Sequence, residues 1–149
     1  NGEEGRVFCA RTTDGGKSFQ FLSYIGPEPA GFAIMPASVR LDESRILVAV
    51  RCCEKPHEFA TARHWIDLYV SEDKGATWRF LNRPVANTGS GGNPPALTRL
   101  GDGRLCLTYG YRAHPYGIRA RLSSDAGVTW VAATTSATRA PSSAPMGRW

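Results

Sequence analysis

One eight-residue pattern occurs three times in this chain, and it restricts the fold more than any other feature. It reads Thr12-Thr13-Asp14-Gly15-Gly16-Lys17-Ser18-Phe19, then Ser71-Glu72-Asp73-Lys74-Gly75-Ala76-Thr77-Trp78, then Ser123-Ser124-Asp125-Ala126-Gly127-Val128-Thr129-Trp130. The shared form is Ser/Thr-x-Asp-x-Gly-x-Ser/Thr-aromatic. These residue types define a turn. The Asp carboxylate accepts hydrogen bonds from backbone N–H groups just downstream. The Gly takes a positive φ that a side chain would penalise. The hydroxyls satisfy the remaining polar groups of a tight bend, and the aromatic residue opens the next strand with a large apolar area. Asp14, Gly16, Asp73, Gly75, Trp78, Asp125, Gly127 and Trp130 are therefore expected to be structural, and the three carboxylates are not assigned to catalysis.

Each turn follows a short strand pattern rich in β-branched and aromatic residues: Arg6–Arg11, Trp65–Val70 and Ile118–Leu122. Between successive turns lie two more strands. Ala37–Leu41 turns through Asp42–Arg45 into Ile46–Val50. Ala96–Leu100 turns through Gly101-Asp102-Gly103, a specific hairpin signal, into Arg104–Tyr109. The repeating unit thus holds four antiparallel strands, with the Asp turn between the third and fourth.

The three Asp residues are 59 and then 52 positions apart. Four-stranded units of that length, repeated, predict an all-β fold of β-propeller blades. The period exceeds the roughly 40–45 residues of a WD40 blade. Residues 1–25 would supply the last two strands of one blade, 26–86 a full blade, 87–135 another, and 136–149 a low-complexity tail. That is about two and a half blades, against a usual count of roughly 4–8 per ring. The chain is therefore expected to be part of a longer propeller, with open blade edges that favour self-association.

Composition narrows the partners. A net charge of +5, from 18 basic and 13 acidic residues, suits an anionic partner. The basic residues are scattered along the strands, so no nucleic-acid surface is expected, and no apolar run is long enough to span a membrane. Cys9, Cys52, Cys53 and Cys106 have no metal-ligand spacing and read as free thiols in strands, which favours a reducing, cytoplasmic compartment. No signal peptide is read at the N-terminus, and neither cofactor nor metal is implied.

The three turns resemble the Asp-box, or BNR repeat, of the sialidase superfamily. The resemblance covers residues 5–134. It is most specific from Gly92-Asn93-Pro94-Pro95-Ala96-Leu97 to Tyr116–Asp125, a stretch similar to bacterial sialidase-like, exo-sialidase family proteins. It implies a six-bladed propeller that clamps a substrate carboxylate with three arginines, a fork geometry matched to a planar anion. It also implies a Tyr nucleophile paired with Glu, and an Asp acid/base. Where such enzymes place the first arginine, this chain has Ile34, before Met35-Pro36, and then Asn93, before Pro94-Pro95. Arg51 and Arg112 match a second arginine, at the end of the second strand, that some members carry. The Tyr–Glu pair belongs to later blades, so no catalytic residue is assigned.

Strand alternation sorts the loops onto two faces. The Asp turns share one face with Asp42–Arg45 and Gly101–Gly103. The opposite face receives Arg51–His64, Gly110–Gly117, Ser23–Pro36 and Asn82–Pro95. That second face carries Arg51, Glu54, His57, Glu58, Arg63, His64, Asn93, Arg112, His114 and Tyr116. From it Arg51, Asn93, Arg112, His114 and Tyr116 are expected to bind a glycan, acidic sugars included. Arg51 and Arg112 could instead only pair with neighbouring carboxylates or cap strand ends, and the histidines could be plain surface loop residues. Three functions fit: an exo-glycosidase of sialidase type, a carbohydrate-binding propeller without catalysis, and a protein-interaction propeller. Tryptophans on the loop face would favour the second. The 149 residues alone are expected to be inactive.

Overall fold

The computed structural model describes residues 5–54 and 62–133. His57, Glu58 and the tail from 136 lie outside the described residues. The chain is all-β. Its strands are β1 (Phe8–Arg11), β2 (Gln20–Tyr24), β3 (Phe32–Arg40), β4 (Ile46–Cys53), β5 (His64–Ser71), β6 (Arg79–Val85), β7 (Ala96–Arg99), β8 (Leu105–Tyr111), β9 (Gly117–Ser123) and β10 (Val131–Ala132). They form three antiparallel sheets: β1-β2, β3-β4-β5-β6 and β7-β8-β9-β10. Each full sheet is a four-stranded meander, and the sheets stack face to face as propeller blades.

The sheets are held by two apolar cores. Leu47 and Ala49 of β4 and Ile66, Leu68 and Val70 of β5 pack against Leu97, Leu105, Leu107 and Tyr109 of the third sheet. The intervening residues Val48, Val50, Cys52 and Tyr69 face the other way, onto Val7, Ile25 and Ala33. Both faces of the central sheet are thus buried, so β4 and β5 read as near-continuous apolar runs. Cys52 and Cys53 are buried and all four cysteines are free; burial, aided by the Asp67 charge, pushes the Cys52 thiol up to about 12.

The three turns share one hydrogen-bond pattern. The first hydroxyl (Thr12, Ser71, Ser123) donates to the Asp carboxylate at 2.7, 2.7 and 2.8 Å. The same oxygen accepts from the N–H of Gly16, Gly75 or Gly127 at 2.9, 2.8 and 2.8 Å. The carboxylate then accepts the N–H of Ser18, Thr77 or Thr129 at 3.0, 2.8 and 2.9 Å, and their hydroxyls at 2.6, 2.5 and 2.5 Å. The glycines have φ of 91°, 94° and 90°. The preceding residue is also left-handed, and in two turns it is Lys74 or Ala126 rather than glycine.

The turns also join blades. Ser23 and Asn82 stand at the same place, four residues after Phe19 and Trp78. Ser23 Oγ donates to the Gly75 carbonyl at 2.7 Å, and Asn82 Nδ2 to the Gly127 carbonyl at 2.7 Å. A side chain on the outer strand of one blade therefore caps the Asp turn of the next. Trp78 Nε1 closes the first contact on Ser23 Oγ at 3.1 Å.

Several strands are longer than the sequence pattern predicts. β3 begins at Phe32, so the connection read as Ser23–Pro36 is shorter. Its register shifts between Ile34 and Ala37, and Pro36 falls in that irregularity, a place where a sheet tolerates proline. β4 continues through Cys53, so Arg51 is a strand residue. His64 is fully buried at the start of β5, which corrects its reading as a surface loop residue. The side chains on the outward side of β1 and β2 include an exposed aromatic group, Phe8, Phe21 and Tyr24, with centroids 6.1 and 5.1 Å apart.

Two outcomes test this account. A Cβ on Gly75 would stand 2.7 Å from Cys9 Sγ of the preceding blade, and one on Gly127 2.8 Å from Leu47 Cδ2, whereas nothing lies within 4 Å at Gly16. Gly16→Ala should cost about 1–2 kcal/mol of backbone strain, and Gly75→Ala and Gly127→Ala roughly 1–3 kcal/mol more from overpacking. Equal costs at the three sites in urea unfolding would refute the inter-blade role. Acid should also unfold the chain. The Thr77 and Thr129 hydroxyls and N–H groups hold Asp73 and Asp125 down to about 2, from 3.8. A lowered folded value means the stabilisation is complete above 3.8 and is lost as pH falls through about 2. Near-UV circular dichroism should therefore change below about pH 4, and a transition centred above about pH 5 would point to other groups.

Candidate functional site

The loop face between the second and third sheets is organised by one connecting segment, residues 87–93. Its backbone crosses from one blade to the next at close range. Thr88 N–H donates to the His64 carbonyl and the Thr88 carbonyl accepts Arg112 N–H, both at 2.9 Å, and Ser90 N–H donates to the Arg112 carbonyl at 3.2 Å. Gly89, with φ of 80°, lies where a Cβ would meet Ala113 N at 2.7 Å. Gly92 packs on the His64 ring, where a Cβ would be 2.9 Å from Cδ2. The glycines permit this approach, and the segment holds the end of β8 beside the end of β4.

Arg51 emerges from β4 on the side facing the third sheet and is only 7% exposed. No carboxylate pairs with it among the described residues. Nη2 donates to the Gly91 carbonyl, Nη1 contacts Met35 Sδ at 3.4 Å, and Cζ lies 4.9 Å from the Phe32 ring centroid. Nε is buried without a hydrogen-bond partner. Burial lowers the guanidinium below its ordinary value, the nearby Cys53 opposes this, and the charge of Arg112 lowers it further. Arg112 itself is exposed and joins no ion pair among the described residues. The structure thus brings Arg51 and Arg112 within electrostatic reach on either side of the 87–93 segment, two cations that form no ion pair among the described residues.

The other expected residues are placed differently. Asn93 is half-buried and donates from Nδ2 to the Gly110 carbonyl at 3.2 Å, which ties the segment to β8. His114 and Tyr116 form their own pair on the β8–β9 loop, with ring centroids 4.5 Å apart and Tyr116 67% exposed. No hydrogen bond joins that pair to Arg51. Burial first lowers His64 from its ordinary value, a hydrogen bond to the Ala62 backbone opposes this, and the Arg51 charge lowers it further. Glu54 accepts Arg63 N–H at 2.8 Å. Among the described residues no group of His, Cys, Asp and Glu could hold a metal ion.

Sequence reasoning did not find Met35, Phe32 or Gly91 as the surroundings of Arg51. It also missed Arg119, whose Cζ lies 3.3 Å above the Tyr111 ring, next to Arg112. Trp65 starts the outer part of β5 but is engaged: Nε1 donates to Asp67 at 2.7 Å and Arg83 lies over its ring at 4.6 Å. Asp67 is buried and also takes Arg83 at 2.7 Å. This outer cluster satisfies itself and offers no open group.

No family model matches the chain, and no curated protein matches it. Solved structures do. One is the α-L-arabinofuranosidase Arb93A from Fusarium graminearum in complex with an iminosugar inhibitor, at 20% identity and a TM-score of 0.68. Another is a mutant of the same enzyme with such an inhibitor, at 20% identity and 0.67. Each match covers 86% of this chain and 40% of the other. The likeness shows the fold, a set of β-propeller blades, and the chain spans about two fifths of the length of the structures it matches.

The uncompensated cation has a measurable consequence. An anion that binds the folded chain stabilises it by mass action, whereas sulfate's general exclusion effect acts on any protein. Sulfate should therefore raise the melting temperature of the wild type more than that of Arg51→Met at equal concentration. Identical increments would show that the Arg51 charge is inaccessible to anions.

Proposed function

We propose that this chain forms part of the ligand-binding face of a glycan-acting propeller, and that Arg51 and Arg112 recognise an acidic sugar there. The observation that carries the reading is Arg51: a guanidinium buried to 7% exposure with no carboxylate partner among the described residues, in electrostatic reach of Arg112 on the next blade, which also joins no ion pair among them. Burying a charge without its counter-charge costs stability, and a ligand anion is the group that would offset the cost. A carboxylate accepts the planar guanidinium fork in two parallel bonds. The likeness to a propeller arabinofuranosidase supports a sugar as the carrier of that anion. The Asp-box pattern and the positions of Arg51 and Arg112 support the sialidase superfamily over a propeller for neutral sugars.

In this reading Tyr116, stacked near His114, supplies an aromatic face for a sugar ring, and Asn93 fixes the segment that separates the arginines. Hydrolysis belongs to the longer propeller. Among the described residues no Tyr is hydrogen-bonded to a Glu, and in this reading the nucleophile pair belongs to further blades.

Titration calorimetry of wild type, Arg51→Lys and Arg112→Lys against N-acetylneuraminic acid, glucuronic acid and L-arabinose tests this. Lysine keeps the charge and removes the fork. Each substitution should weaken acidic-sugar binding by about tenfold or more, the worth of a charge-assisted hydrogen bond. L-arabinose bound equally by all three proteins, with no acidic sugar bound, would replace this reading with that of a neutral-sugar propeller.

A further inference from the structure

We propose that Met35 is a specificity-determining residue, a movable cover over Arg51 that an incoming anion must displace. This rests on the reading of Arg51 as the ligand-binding cation. The residue stands where the β3–β4 ladder is interrupted: Ile34 pairs with Arg51, and the next pair is Ala37 with Ala49. Met35 has φ of 52°, a left-handed conformation that an unbranched non-glycine side chain rarely adopts. Strained residues of this kind persist where the surroundings over-determine them and cluster at ligand sites. Here the effect is to swing the side chain onto the Arg51 guanidinium, with Sδ 3.4 Å from Nη1.

The cover is the weakest of the contacts on that guanidinium. Gly91 offers a carbonyl on a segment whose Thr88, Gly89, Gly91 and Gly92 are buried and whose backbone is bonded to both blades. Phe32 is 3% exposed and packed in the core. Met35 is 49% exposed, has three rotatable bonds, and carries a thioether, a poor hydrogen-bond acceptor. Among these three contacts it is the one that can leave without opening the core. An anionic oxygen replacing the sulfur at Nη1 exchanges a weak acceptor for a charge-assisted bond. A neutral hydroxyl gains less by the same exchange, so the cover selects for anions.

The test reads Arg51 directly and does not need the sugar. Phenylglyoxal modifies accessible guanidinium groups, and peptide mass spectrometry gives the rate at each arginine. In the 149-residue chain, Met35→Ala should raise the rate at Arg51 several-fold and leave Arg83 unchanged. Met35→Leu keeps the bulk and should modify at the wild-type rate. No change at Arg51 in Met35→Ala, or an equal rise at Arg83, would overturn the proposal. Titration with glucuronic acid adds a second readout: Met35→Ala should bind it several-fold more tightly than wild type, and unchanged or weaker binding overturns the cover. If no acidic sugar binds the wild type, the reading of Arg51 as a sugar site fails while the modification rate still decides whether Met35 covers it.

Discussion

The fold depends on the carboxylate of each Asp turn. Asp73 and Asp125 each gather a downstream N–H and two hydroxyls within a few residues. A turn closed by its own side chains needs no help from the core, so the strands on either side are brought antiparallel by local chemistry alone. The next step is what makes a propeller of separate hairpins. With its carboxylate occupied, the turn presents a glycine carbonyl outward, and Ser23 or Asn82 of the neighbouring sheet donates to it. The glycine also lets that neighbour approach, since Cys9 and Leu47 fill the space a side chain would need. One residue type thus serves both the turn and the blade junction.

Legibility in the sequence follows the range of the interactions. The turns, the hairpins and the four-strand unit are local, and their residue types announce them. Positions set by distant partners are not. Pro36 looks like the end of a connection, yet it sits inside β3 because the ladder is broken there. His64 looks like a polar loop residue, yet Gly92 of another blade packs over it. Lys74 and Ala126 occupy left-handed positions that the pattern gave no reason to expect outside glycine. The same holds for the candidate site. Arg51 and Arg112 stand out from strand order, but the partners of Arg51, Met35 and Gly91, lie 16 and 40 residues away, beyond any local pattern.

The two faces of the blades differ in how their polar groups are satisfied, and the proposed function places recognition on the loop face. On the turn face polar groups are satisfied in short range: Asp42 holds Arg45, Asp102 holds Arg104 and Lys74 N–H meets the Ser44 carbonyl. On the loop face two arginines have no acid partner among the described residues, one of them inside the protein. A self-satisfied face can tolerate exchange of its surface residues with little consequence. The loop face is instead tuned by a crossing segment whose glycines, Gly89, Gly91 and Gly92, all have positive φ.

The asymmetry within the arginine pair is itself informative. Arg112 is solvated, and its charge is cheap to maintain and screened by salt. Arg51 is desolvated, so its interactions are stronger and its lack of a counter-charge is more costly. An exposed cation attracts an anion from a distance, while a buried one rewards the anion only when it has shed its water and entered. Arranged on adjacent blades, the two would, under the proposed function, form a path from capture to seating. A cover such as Met35 would belong at the end of that path, because water or a neutral hydroxyl gains less than an anion by displacing the thioether from Nη1. Under the proposed function the cost of the buried charge would act as a selectivity device, and it is placed on β4, which with β5 is the most completely buried of the strands, where the scaffold is best able to bear it.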